Sequence, residues 1–143
     1  MKVEIFSLCD FASIEAGGKL NLLGVFDAIY ARQAPVTQGL CALAIRIRFE
    51  KIEEGVKKIK ISFVNVDGFP IMPTLESQIS VQVKSLDQYA TAQIVSIVSQ
   101  LTFPSFGEYS VDLAIDGRQE ASTHLIVRES PPPSLQPQLP HMT

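Results

Sequence analysis

Tryptophan is absent, cysteine and histidine occur only twice each, and neither sign of charge dominates. Each shortage excludes something. With Cys9 and Cys41 far apart and only His124 inside the patterned part of the chain, no His-x-His, HExxH or cysteine pair exists to hold zinc, and no cofactor is expected. A net charge of −3 gives no overall drive toward nucleic acid or an anionic membrane. No apolar run approaches the roughly 18 residues a membrane helix needs, and Glu4 and Asp10 interrupt any secretory signal, so the expected setting is the cytoplasm. There, both cysteines are expected to be free thiols that behave as small hydrophobes.

What is present is a strong period of two. Leu43, Ile45, Ile47 and Phe49 alternate with Ala44, Arg46, Arg48 and Glu50; Ile59, Ile61 and Phe63 alternate with Lys58, Lys60 and Ser62. Ile79, Val81, Val83 and then Tyr109, Val111, Leu113, Ile115 repeat the pattern, which marks half-buried strands. Turn signals separate them at Gly17-Gly18, Glu54-Gly55, Asp67-Gly68, Pro104 to Gly107 and Asp116-Gly117. The strands read as 2–9, 19–31, 41–50, 56–66, 77–84, 90–103, 108–115 and 119–128, with a short helix candidate over Asp10 to Ala16. This predicts an all-β fold, an antiparallel β-sandwich of about seven to eight strands in one domain, 1–128. Residues 129–143 carry five prolines and are expected to form a flexible tail, with Pro137 to Pro140 matching the PxxP form of polyproline ligands.

Candidate chemistry is sparse. Gly17-Gly18-Lys19 runs into Leu20-Asn21-Leu22 without the hydroxyl residue or helix of a phosphate loop, so it is a turn between strands. Cys9 could act as a nucleophile only if His124 reached it and the thiol pKa were lowered; a buried structural cysteine is the simpler reading. Asp67 and Asp116 precede turn glycines, where aspartate bonds local amides; sandwich-end aspartates such as these could build a calcium site, but the spaced acidic ligands of a dedicated loop are absent. No catalytic residue is assigned and the chain reads as non-enzymatic.

Two features could carry binding. If strands 41–50 and 56–66 form a hairpin, Arg46, Arg48, Lys58 and Lys60 share one face as a basic ribbon suited to an anionic partner. Glutamates nearby would neutralise it if it is an ordinary solvated face. The second is the uncharged span from Gln88 to Gly107, where Ile94, Val95, Ile97 and Val98 place apolar side chains on both faces of one strand. Such a strand is either central or covered by a protein partner or a second copy of the chain.

The segment from Phe106 to Val127, FGEYSVDLAIDGRQEASTHLIV, resembles the tyrosine corner and closing hairpin of immunoglobulin-like sandwiches. Tyr109 would then anchor its hydroxyl on nearby backbone; an ordinary core tyrosine is the alternative. The stretch CDFASIEAGGKLNLLGVFDAIY, with LAIRIRFE, VDGFPIMP and FGEYSVDLAIDG after it, resembles a family of small bacterial proteins of unknown function. That resemblance spans most of residues 3–128 and implies a bacterial β-sandwich without assigned catalytic residues. The expected function is an interaction module, with anion binding through the basic ribbon as the alternative.

Overall fold

The longest alternating run organises the molecule. In the computed structural model, which describes residues 1–131 and 139–140, strand β4 (Val36–Glu50) buries Cys41, Leu43, Ile45, Ile47 and Phe49 on one face. The others are β1 (Lys2–Ile14), β2 (Leu20–Val25), β3 (Ala28–Ala31), β5 (Gly55–Asn65), β6 (Leu75–Val81), β7 (Tyr89–Phe103), β8 (Gly107–Ile115) and β9 (Arg118–Glu129). They form a four-stranded sheet in the order β2-β1-β4-β7 and a five-stranded sheet in the order β3-β9-β8-β5-β6. The inner faces meet in one core in which Phe49, Phe103 and Leu43 of the first sheet pack with Phe63, Leu113 and Leu125 of the second. An all-β sandwich is what the alternation predicts.

The strands differ from expectation most in three places. The span 19–31 is two strands, because the chain leaves the first sheet after Val25 and joins the second at Ala28. Phe26 N–H still bonds Leu8 C=O (3.0 Å), while Asp27 C=O already accepts from Ile126 N–H (2.9 Å). This crossing makes β3–β9 a parallel pair in an otherwise antiparallel structure. The helix expected over Asp10 to Ala16 is instead the continuation of β1, which pairs with β2 as far as Ile14↔Leu20. Finally, β9 runs through Glu129, and Ser130 N–H bonds Ala31 C=O (2.8 Å), so order extends into the expected tail. Residues 132–138 and 141–143, which include Pro137 and Gln138 of the PxxP motif, lie outside the described residues.

The largest correction concerns β4 and β5. They do not pair; one lies in each sheet. A short 3-10 turn, Lys51–Glu53, arches between the layers, fixed by a capping box in which Glu53 accepts from Glu50 N–H (2.9 Å). Ile45 and Ile47 therefore meet Ile59 and Ile61 across the core rather than side by side.

Tyr109 anchors the crossing from β7 to β8. It is 5% exposed, its hydroxyl donates to Ser105 C=O (2.7 Å) and accepts from Ser105 N–H (3.3 Å), and its ring meets Phe103 edge-on at 4.9 Å.

Candidate functional site: an uncharged sheet edge

Strand β7 owes its conformation to β-branched Thr91, Ile94, Val95, Ile97, Val98 and Thr102 and to the absence of proline and charge. It pairs with β4 along its whole length, from Glu50↔Tyr89 to Val36↔Phe103. On its other side no strand follows among the described residues, so β7 is the edge of the four-stranded sheet they form. A long edge presents a row of backbone donors and acceptors, and soluble proteins usually interrupt it with charge or proline. Here neither interrupts the strand.

All four apolar residues singled out in the sequence lie together on this edge. Ile94 and Val98 oppose Ile45 and Cys41 and point into the sandwich; Val95 and Ile97 oppose Ala44 and Ala42 and point outward. Val98 is 3% exposed and Ile97 54%. Beside them the chain offers a groove of about 420 Å³ between the edges of the two sheets, lined by Ile61, Leu75, Glu76, Ile94, Val95 and Ser96 among others.

The outer face beside β7 is apolar as well. Beyond Cys9↔Ala42, β1 parts from β4 and the β1–β2 hairpin bends over the sheet. Leu20 and Leu22 then cover Cys9, Ala12, Ala42 and Ala44, with Val95 against the same cluster. Gln93 Nε2 ties the hairpin tip to the edge strand by donating to Gly18 C=O (2.6 Å). Gly24 permits the bend: its φ is +70°, and a Cβ there would overlap the Asp10 carboxylate. Phe11, Leu23 and Val25 remain exposed on the far side of the hairpin, and Leu40 on β4 is 58% exposed. Sequence reasoning missed Leu40; the adjacent apolar pair Leu40-Cys41, which breaks strict alternation, was the available signal.

The basic residues do not form a ribbon. Arg46 and Arg48 lie on the outer face of the four-stranded sheet, Lys58 and Lys60 on the outer face of the five-stranded one, with the core between. Arg46 Nε contacts Glu4 (3.0 Å) and Nη1 donates to Gln93 Oε1 (2.6 Å). Arg48 sits 3.6 Å from Glu4 and 5.2 Å from the Tyr89 ring centroid. Lys60 opposes Glu76 across β5–β6, beside an open depression of about 540 Å³.

Cys9 and His124 are equally separated. Cys9 is fully buried, its Sγ 3.3 Å from Phe11 C=O and 3.5 Å from Ala42 C=O, and burial raises its pKa. His124 is exposed on β9 in the other sheet. Cys41 is also free and buried, which pushes its pKa up to about 11. Asp116 caps Lys58 N–H (2.9 Å) near the start of β5, whereas Asp67 follows its far end, so the two aspartates do not converge. Among the described residues no three His, Cys, Asp or Glu side chains are placed to hold a metal, and no helix is long and apolar enough to cross a membrane.

The model of the family of unknown function DUF6941 matches residues 4–128. The chain belongs to that family. The DUF6941 match takes in both sheets, the covering hairpin and the whole β7 edge, and ends one residue before β9 does. No curated protein matches the chain. Among solved structures it is similar to the alkylpurine DNA glycosylase AlkC of Pseudomonas fluorescens, solved bound to DNA containing an abasic site analog. That likeness has 14% identity and a TM-score of 0.41, over 71% of this chain and 28% of the glycosylase, and carries no functional weight.

Proposed function

We propose that the chain is a non-enzymatic interaction module that engages a protein by strand addition along β7. The observation that carries this reading is the edge itself: a fifteen-residue strand, unpaired on one side among the described residues, with no charged residue and no proline. In strand addition the unpaired backbone groups supply affinity, and alternate side chains, entering pockets or lying on the outer face, supply specificity. The groove lined by Ile61, Leu75 and Ile94 suits the inward side chains of an added strand, and Ile97 with Leu40 suits the outward ones.

The non-enzymatic reading is supported by the enclosure of Cys9, whose raised pKa disfavours the thiolate a nucleophile needs. An anionic ligand is the weaker alternative, because it would meet two basic residues on either side of the sandwich rather than four together. The proposed setting is a bacterial cytoplasm, whose reducing conditions suit two enclosed free thiols.

The test is affinity capture from the native host's lysate, read by mass spectrometry. Wild type is compared with Val95→Lys/Ile97→Lys and with Lys58→Glu/Lys60→Glu, each checked for folding by circular dichroism. A partner lost by the first variant and kept by the second supports the edge. Capture unaffected by the first variant overturns it, and loss in the second alone favours the anionic ligand.

A further inference from the structure

Within this reading of β7 as a binding edge, the strand's own sequence specifies an occupant. Residues 94–98 read Ile-Val-Ser-Ile-Val, which has mirror symmetry in residue class about Ser96. That symmetry has a geometric meaning. When two copies of one edge pair antiparallel around a two-fold axis perpendicular to the sheet, each residue keeps its own face. Directly opposite residues must therefore be an even number apart in sequence, and one residue must meet itself.

Centred on Ser96, every apolar residue meets an apolar one. Val95 opposes the second copy's residue 97 on the outer face, and Ile94 opposes its residue 98 on the inner face. Shifting the centre to Val95 sets Ile94 against a serine and Gln93 against an isoleucine. Centring on Ile97 sets Ser96 against a valine and Val95 against a serine. Only the register about Ser96 matches apolar to apolar on both faces, and cross-strand packing of β-branched pairs is what stabilises a strand pair. The registers on either side fail.

Charge points the same way. The span from Gln88 to Gly107 has none, so two copies of β7 bring no like charges together. A charged partner strand would find no complement within β7 itself; the charged residue lining the adjacent groove is Glu76 of β6. The regular edge also ends where the symmetric segment needs it to end: Gln100 takes a left-handed φ of 56°, just beyond Ser99, the residue that would face Gln93 of the other copy.

We propose that β7 pairs antiparallel with β7 of a second copy, in register about Ser96, joining two four-stranded sheets into one continuous eight-stranded sheet. The inner side chains of each edge then close the open groove against Ile61 and Leu75 of the other copy's sandwich, and Ile97 loses its exposure.

The experiment uses the full chain in sedimentation equilibrium. The expected result is a species of twice 15.7 kDa. Val95→Lys/Ile97→Lys and Val95→Glu/Ile97→Glu each lose it, and their equimolar mixture regains it as a heterodimer, because positions 95 and 97 face each other across the axis. A second measurement does not depend on folding of these double variants. Ser96→Cys treated with a short bifunctional thiol cross-linker gives a covalent dimer, while Gln93→Cys alone does not, since it faces position 99. A wild-type monomer, or a dimer that persists in the double lysine variant, overturns the inference. If wild type is monomeric but the double lysine variant still loses a captured protein, self-pairing fails and the strand-addition reading stands; if capture is also unaffected, both fail.

Discussion

The two sheets present their open edges, β7 and β6, on the same flank of the sandwich, on either side of one groove. They are built differently. Strand β6 is seven residues long, carries Glu76 on its outer face and is preceded by Pro70 and Pro73. Strand β7 is fifteen residues long and carries neither charge nor proline. Both satisfy the same structural demand, an alternating strand whose inner face completes the core. The protection found on β6 is what an edge needs to stay solitary, and its absence on β7 is not something the fold requires. The contrast is what the proposed reading of β7 as a binding edge rests on.

If the inner faces are equivalent and only the outward features differ, burying a charge should hurt both edges alike. Val98→Lys on β7 and Val81→Lys on β6 replace side chains that are 3% and 4% exposed. Each should cost roughly 3 kcal/mol or more, since an unpaired ammonium enters the core. Urea titration checks this, and a large disparity between the two would break the equivalence.

Cys41 tests how firmly β7 seals the strand beneath it, because Val98 lies directly opposite. The folded-state pKa, about 11, exceeds the unfolded 9.0, so the buried neutral thiol contributes stability that is intact below pH 9. That contribution is lost as pH rises from 9 to about 11, and amounts to about 2 kcal/mol. Cys41→Ala should remove this part of the alkaline decline, measured as the change in denaturation midpoint between pH 8 and pH 11. A decline identical in both proteins would mean that the thiol is not sealed.

The alternation of β4, β5 and β8 made the fold class legible, and Gly17-Gly18 marked its turn. Parity assigns a residue to a face but not a strand to a neighbour. The isoleucines of β4 and β5 share a core whether the strands form a hairpin or arch between sheets, and only the capping of the turn by Glu50 and Glu53 separates the two. The four basic residues follow the opposite faces of the same strands, so the wrong neighbour turned two separate pairs into one ribbon. The uncharged span was legible as unusual from composition alone. That it is an edge depends on long-range pairing that no local pattern encodes.

Beyond its pairing with β4, β7 is secured at its end by Tyr109, whose hydroxyl holds Ser105 in the crossing to β8. The corresponding exit from β6 is held by Glu54, which accepts from Val83 N–H (2.9 Å). Tyr109→Phe deletes the phenolic donor while keeping the ring against Phe103, and should cost about 1 kcal/mol in urea titration. It should leave the pairing properties of the edge unchanged, because the hydroxyl lies beyond Phe103.

The smallest effect on stability is the most informative about the comparison. Ile97→Lys on β7 and Ser80→Lys on β6 both place a lysine on an exposed outward position of an edge strand. Neither breaks a hydrogen bond or leaves a cavity, so each should shift folding stability by no more than about 0.5 kcal/mol. Association should separate them: the β7 substitution adds to this edge the charge that β6 already has, and should abolish binding along it, whereas the β6 substitution should change nothing. Light scattering on both variants at matched concentration reads the difference. Equal behaviour of the two in association would mean that the bare edge of β7 is a tolerated accident of composition rather than a surface kept open for a partner.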